Sequence, residues 1–145
     1  MGAKMTDTAD HQCSFRVYIE DTDLGGIVYY VNYLKFMERA RTELLRSLGF
    51  QQHELQQQGL LFVVQSLGAR YRQPARLDDE LIIHTAIKNL SAASLVFEQR
   101  VVRSEGYILL CTAEVKVAAV DTARLKPIRI PPLLRQQLDR YRVQP

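Results

Sequence analysis

The chain has 145 residues, which suits one compact domain and leaves little room for a second. Its 47% hydrophobic and 24% charged residues are ordinary for a folded protein and exclude a disordered chain. Nineteen basic against sixteen acidic residues give a net charge of +3, too slight an excess to argue for a nucleic-acid partner.

Residues 1–12 are polar and lack the apolar centre of a secretory signal, so a flexible leading segment and a cytoplasmic location are expected, with one domain over 13–142. No apolar run approaches the roughly 20 residues of a membrane span. Ser14 to Ile19, rich in β-branched and aromatic residues, predicts a first strand. Glu-Asp-Thr-Asp-Leu-Gly-Gly over 20–26 is a loop with two adjacent glycines. Tyr33, Phe36, Met37, Ala40, Leu44 and Leu48 then recur at steps of three and four, the stripe of a long amphipathic helix. Gly49 stops it, with Phe50 placed to fold back on the last turn. A short helix over 52–58 ends at Gly59.

The remainder reads as strand. Leu60 to Arg72 is extended and closed by Pro74. Leu81 to Lys88 and Leu95 to Arg103 follow, and Ser104-Glu105-Gly106 predicts a hairpin into Tyr107 to Val120. In that last strand Leu109, Cys111, Ala113, Val115, Val117 and Ala119 are expected on one face, with Thr112, Glu114 and Lys116 on the other. A short helix over 133–141 ends the chain. One helix cannot cover both faces of a wide sheet, but a curved sheet can wrap one helix; the fold class is α+β.

Candidate chemistry narrows by elimination. His11, His53 and His84 neighbour no nucleophile motif, and His84 reads as a surface strand residue. No histidine pair has ligand spacing, so no metal is expected. Cys13 and Cys111 fit neither a disulfide framework nor a zinc spacing and read as buried, inert thiols. Gly25-Gly26 lacks the spacing of a dinucleotide or phosphate loop. What stands out is Asp21-Thr22-Asp23, two glycines, and then the long helix. Free amides at a helix start carry partial positive charge and would polarise a carbonyl placed on them. A carboxylate nearby could attack that carbonyl or deprotonate a water. A thioester suits such modest equipment, because a thiolate leaves easily. The alternative is that Asp21 and Asp23 only make turn and capping bonds.

The run from Val17 to Leu34, Val-Tyr-Ile-Glu-Asp-Thr-Asp-Leu-Gly-Gly-Ile-Val-Tyr-Tyr-Val-Asn-Tyr-Leu, resembles the hotdog acyl-CoA thioesterases. Phe-Met-Glu-Arg-Ala-Arg-Thr-Glu over 36–43, Pro-Ala-Arg-Leu-Asp-Asp-Glu-Leu over 74–81 and Ser-Leu-Val-Phe over 94–97 extend the likeness to residues 15–132. It is most similar to the YbgC type, associated with the Tol–Pal envelope system. The resemblance implies a hotdog fold, in which a curved antiparallel sheet wraps a long central helix. It implies hydrolysis of acyl-CoA without a cofactor, with Asp23 as catalytic nucleophile or general base. The backbone N–H of Tyr30 would receive the thioester oxygen, at a position where many relatives carry His. Tyr29, Asn32 and Tyr33 would line the pocket or fix the start of the helix, Tyr33 by core packing as readily. Arg70, Arg72 and Arg76 are candidates for the coenzyme A phosphates, surface solvation being the alternative.

Glu38 and Glu43 read as structural ion-pair partners, and Asp78-Asp79-Glu80 as a turn. The basic residues Arg124, Lys126, Arg129, Arg135, Arg140 and Arg142 form a solvated tail or a landing site for coenzyme A phosphates or an acidic carrier protein. The family also implies a homodimer or a homotetramer built from dimers, with at most peripheral membrane association. Acyl carrier protein stands as an alternative thioester carrier, and a non-catalytic acyl-CoA binding or scaffold module as the alternative function. Phe62, Val64, Leu67 and Phe97 are expected to set pocket depth, in a register the sequence leaves open.

Overall fold

The helical stripe is buried as its spacing demands. In the computed structural model, which describes residues 10–143, helix α1 (Asn32–Ser47) buries Tyr33, Phe36, Met37, Ala40, Leu44 and Leu45. Phe36, Met37 and Leu44 are wholly enclosed, each contributing about 1.5–3 kcal/mol of apolar burial. Gly49, at φ 90°, ends the helix: its N–H donates to the Arg46 carbonyl and the Phe50 N–H to that of Leu45. Phe50 thereby turns back onto the core.

Around α1 run β1 (His11–Arg16), β2 (Leu60–Tyr71), β3 (Glu80–Leu90), β4 (Ser94–Arg103) and β5 (Ile108–Asp121), with short helices α2 (Gln52–Gln57) and α3 (Pro132–Leu138). The strands form one antiparallel sheet in the order β1-β3-β4-β5-β2. This is the wrapped, α+β arrangement that one long helix and several antiparallel strands imply. Helix α1 lies over β1, β3 and β4, α2 packs on the start of β2, and the later part of β2 is left exposed. Opposite the inward-facing Val117, Val115 and Cys111, the β2 residues Val64, Leu67 and Tyr71 turn to the helix side yet stay exposed.

Three details differ from the sequence reading. The first strand runs from His11 to Arg16, so the domain begins before residue 13; Tyr18 and Ile19 are exposed around a 3-10 turn (Ile19–Asp21) instead of being paired. Residues 1–9, the rest of the leading segment, lie outside the described residues. On β5 a bulge at Leu110 breaks the alternation: Val101 pairs with Cys111 but Val102 with Leu109, so Leu110 is buried and Leu109 leaves the inner face. The expected hairpin between β4 and β5 stands, closed by a 3-10 turn through Gly106 at φ 80°. Finally, His84 is not a surface residue but 3% exposed, packed beneath Asp10 and Tyr107 on the face away from α1.

Candidate active site

The loop between β1 and α1 is built by its acidic residues. Asp21 Oδ2 accepts the Tyr18 N–H at 2.9 Å and the Thr22 hydroxyl donates to the Ile19 carbonyl at 2.8 Å, closing the 3-10 turn. Thr22 then bridges Val28, and the Asp23 N–H donates to the Ile27 carbonyl. Asp23 and Gly26 thus close a small hairpin tip, with Gly26 at φ 74°, a conformation costly for other residues. Asp23 Oδ1 accepts the Gly25 N–H at 2.9 Å, while its second oxygen has no partner among the described residues and the side chain is exposed. Asp21 is therefore the structural acid. Asp23 is half engaged and half free.

A second loop, 74–79, clamps the first. Val28 donates to the Ala75 carbonyl, Leu77 to that of Gly26, and Val17 and the 78–79 backbone exchange bonds. The Tyr33 hydroxyl accepts the Ala75 N–H at 2.8 Å. Arg103 holds the far side, reaching Asp79 at 3.0 Å and the Pro74 carbonyl at 2.8 Å. The turn reading of Asp78-Asp79-Glu80 stands, and Asp79 adds a structural ion pair to it.

The start of α1 is fixed by Asn32, whose side-chain amide donates to the Asp21 carbonyl at 2.8 Å. The Tyr30 N–H has no acceptor among the described residues and stands one residue before the Val31 cap, where the helix start favours negative charge. The exposed Tyr29 and Tyr30 rings meet at 5.0 Å between centroids. Tyr30 and Tyr33 both approach Tyr71 of β2, at 5.7 Å and 5.5 Å. Tyr71 escaped the sequence reading because only the strand register shows which β2 residues turn toward the helix.

Asp23, Tyr29, Tyr30 and Asn32 thus belong to one braced loop, and Tyr33 serves as a buried strut. Arg70 lies on the other face of the sheet from Tyr71, lining a shallow cleft with Gly68, Glu98 and Arg100. Arg72 and Arg76 are exposed at the end of β2 and in the clamp loop. Of the helix acids, Glu43 pairs with Arg46, whereas Glu38 makes no ion pair among the described residues and stands at the rim of a cavity. Phe62, Val64 and Phe97 line that cavity; Leu67 does not, and neither does the Asp23 loop. Burial pushes the Cys111 thiol up to about 11, an inert thiol at neutral pH, and raises that of half-buried Cys13, with Glu43 adding to the effect. Among the described residues no helix is long and apolar enough to cross a membrane.

A sheet wrapped on one helix, with a glycine-flanked acid just ahead of that helix, can be set beside known proteins. The model of the thioesterase-like superfamily matches residues 17–138. The chain belongs to that superfamily. Within it, the chain is 49% identical over 117 residues to the acyl-CoA thioesterase YbgC of Haemophilus influenzae, covering 80% of this chain and 85% of that one. A probable thioesterase from Bartonella henselae is 38% identical and superimposes with a TM-score of 0.78 over 84% of this chain and 99% of that one. The hotdog fold is shared more widely. A 1,4-dihydroxy-2-naphthoyl-CoA thioesterase from Synechocystis superimposes at 0.84 over 90% of this chain and 96% of that one, at 20% identity.

Proposed function

We propose that this superfamily member hydrolyses acyl-CoA thioesters, with Asp23 as nucleophile or general base. The observation that carries the reading is one loop presenting a partly free carboxylate, Asp23, and, seven residues on, a helix-start amide, Tyr30, without an acceptor among the described residues, the loop being braced by Asn32 and Ala75. The amide receives the carbonyl oxygen and stabilises the charge that develops on it. Asp23 then attacks the carbonyl carbon or takes the proton of an attacking water, and the thiolate of coenzyme A leaves. An anhydride formed by direct attack is cleaved by one water, which releases the acid and restores the Asp23 carboxylate. Because the amide belongs to the backbone, Tyr30 serves this role without the imidazole that many relatives carry.

A second copy of the chain completes the site. In the single chain Asp23 is exposed, and the inward side chains Val64, Leu67 and Tyr71 also lie open, on an edge strand of the sheet. Pairing two β2 strands covers that apolar face and gives the acyl group a wall against Tyr29 and Tyr30. Arg70 and Arg72, at the same edge, are assigned to the coenzyme A phosphates. The protein acts in the cytoplasm as a dimer or a pair of dimers, at most touching a membrane surface, and takes coenzyme A thioesters, with acyl carrier protein as the alternative carrier.

The test is thiol release from short, long and aromatic acyl-CoAs and an acyl carrier protein thioester, followed with a thiol reagent. Turnover well above the uncatalysed rate on at least one acyl-CoA is expected. Tight binding without release from any of them would make the chain a binding module instead.

A further inference from the structure

Arg41 is the buried cation the proposed reaction does not use. It sits on the inner side of α1, 9% exposed, and burial pulls its pKa below the ordinary value. Guanidinium nevertheless stays charged in proteins. Its Nη1 donates to Gln99 Oε1 at 3.0 Å, the one hydrogen bond it makes among the described residues. Gln99, fully buried, is held in turn by the Met37 carbonyl and the Thr85 hydroxyl, both at 3.0 Å, so the amide is positioned to aim the guanidinium. No carboxylate lies within 4.0 Å of Arg41 among the described residues. The acid whose charge it feels is Glu38, one helical turn earlier and exposed.

The other nitrogens of Arg41 are not sealed in protein: the only buried side-chain polar atom without a partner among the described residues is His11 Nδ1. They open onto the cavity that Arg41 lines, whose wall is apolar apart from Glu38 and Gln52, with Phe62, Val64, Leu95, Phe97 and Leu138. The Phe97 ring centroid lies 6.0 Å from the guanidinium carbon. A buried cation without a counter-ion is costly, and the loss is recovered by a hydrogen-bonded anion. The volume is about 80 Å³, several times the roughly 10–15 Å³ minimum for a single water.

We infer that this cavity binds a small aliphatic carboxylate, its oxygens on the Arg41 guanidinium and its methylenes against Phe62, Leu95 and Phe97. Two sources share that chemistry: a free carboxylic acid such as the hydrolysis product, or the far end of an acyl thioester that itself terminates in a carboxylate. From Asn32 to Arg41 the helix rises about 13 Å, beyond the reach of so short a tail anchored at the helix start of the same chain. Within one chain the geometry therefore favours the free acid. The inference stands on the cavity alone, and Asp23→Asn should bind the carboxylate as the wild type does.

The test titrates the full chain with valerate and with its neutral isostere valeramide, by calorimetry or by NMR. Saturable valerate binding is expected, with valeramide about tenfold weaker or worse. Arg41→Met, shown to be folded by circular dichroism, should lose valerate binding. If that variant does not fold, the isostere pair on the wild type decides. Hydrolysis of glutaryl-CoA against valeryl-CoA separates the sources. Equal rates with inhibition by valerate assign the free acid, whereas a glutaryl preference abolished by Arg41→Met assigns the thioester's own end. Absence of saturable valerate binding without a glutaryl preference, equal affinity for valeramide, or retained binding in folded Arg41→Met would each overturn the carboxylate site.

Discussion

Asp21 and Asp23 stand two residues apart and do different work. Asp21 caps the 3-10 turn and, through its carbonyl, holds Asn32, whereas Asp23 spends one oxygen on Gly25 and keeps the other free. The triplet and its glycines were legible in the sequence; the division of labour was not, because it depends on which backbone amides the 3-10 turn presents. Tyr33 shows the same limit. Its helical spacing foretold burial, but its hydroxyl bond to Ala75 joins positions 42 residues apart. Tyr33→Phe strands a buried N–H, so urea unfolding should show a loss of about 1–3 kcal/mol, with lower turnover as the clamp loop loosens. His84 was misread because a lone histidine in a strand does not reveal that Asp10 and Tyr107 close over it.

At the scale of elements, α1 was legible almost residue by residue, since a stripe of period 3.6 ended by Gly49 leaves few alternatives. Strands β2 to β5 were placed well, and so was the facing of β5 from Cys111 to Ala119; Leu109 and the register of β2 were not, because a bulge exchanges one face for the other without a mark in composition. The bulges at Leu110 in β5 and between Val64 and Ser66 in β2 decide which side chains look inward. The second of these leaves Leu67 and Tyr71 on the helix side, uncovered. Leu67→Lys places a charge on that open apolar face. In analytical ultracentrifugation it should shift the wild-type dimer or tetramer toward monomer and lower acyl-CoA turnover with it. A monomeric wild type of full activity would contradict the shared site.

For the whole molecule, the buried histidines tie stability to pH. Burial first, then Arg100, lowers the pKa of His84 below its ordinary 6.5, with Asp10 opposing; burial likewise lowers that of His11. Neutral His84 donates from Nδ1 to Asp10 at 3.2 Å and accepts the Tyr107 hydroxyl at Nε2 at 2.7 Å. The unfolded chain therefore binds these protons more readily than the folded one. Their contribution is complete above 6.5 and is lost as pH falls through the folded values. Thermal melts should be level from about pH 8 to 7 and decline toward about pH 5, less steeply in His84→Gln. A flat profile over that range would contradict the buried neutral state.

The central claim is that the hairpin-tip carboxylate performs the chemistry and does not merely shape its turn. Asp23→Asn keeps an oxygen for the Gly25 N–H and removes only the charge, so it separates the two roles. With a saturating acyl-CoA, thiol release by the variant should fall by about 10²-fold or more while its melting temperature and oligomeric state match the wild type. Turnover within a few fold of wild type in the folded variant would contradict the account.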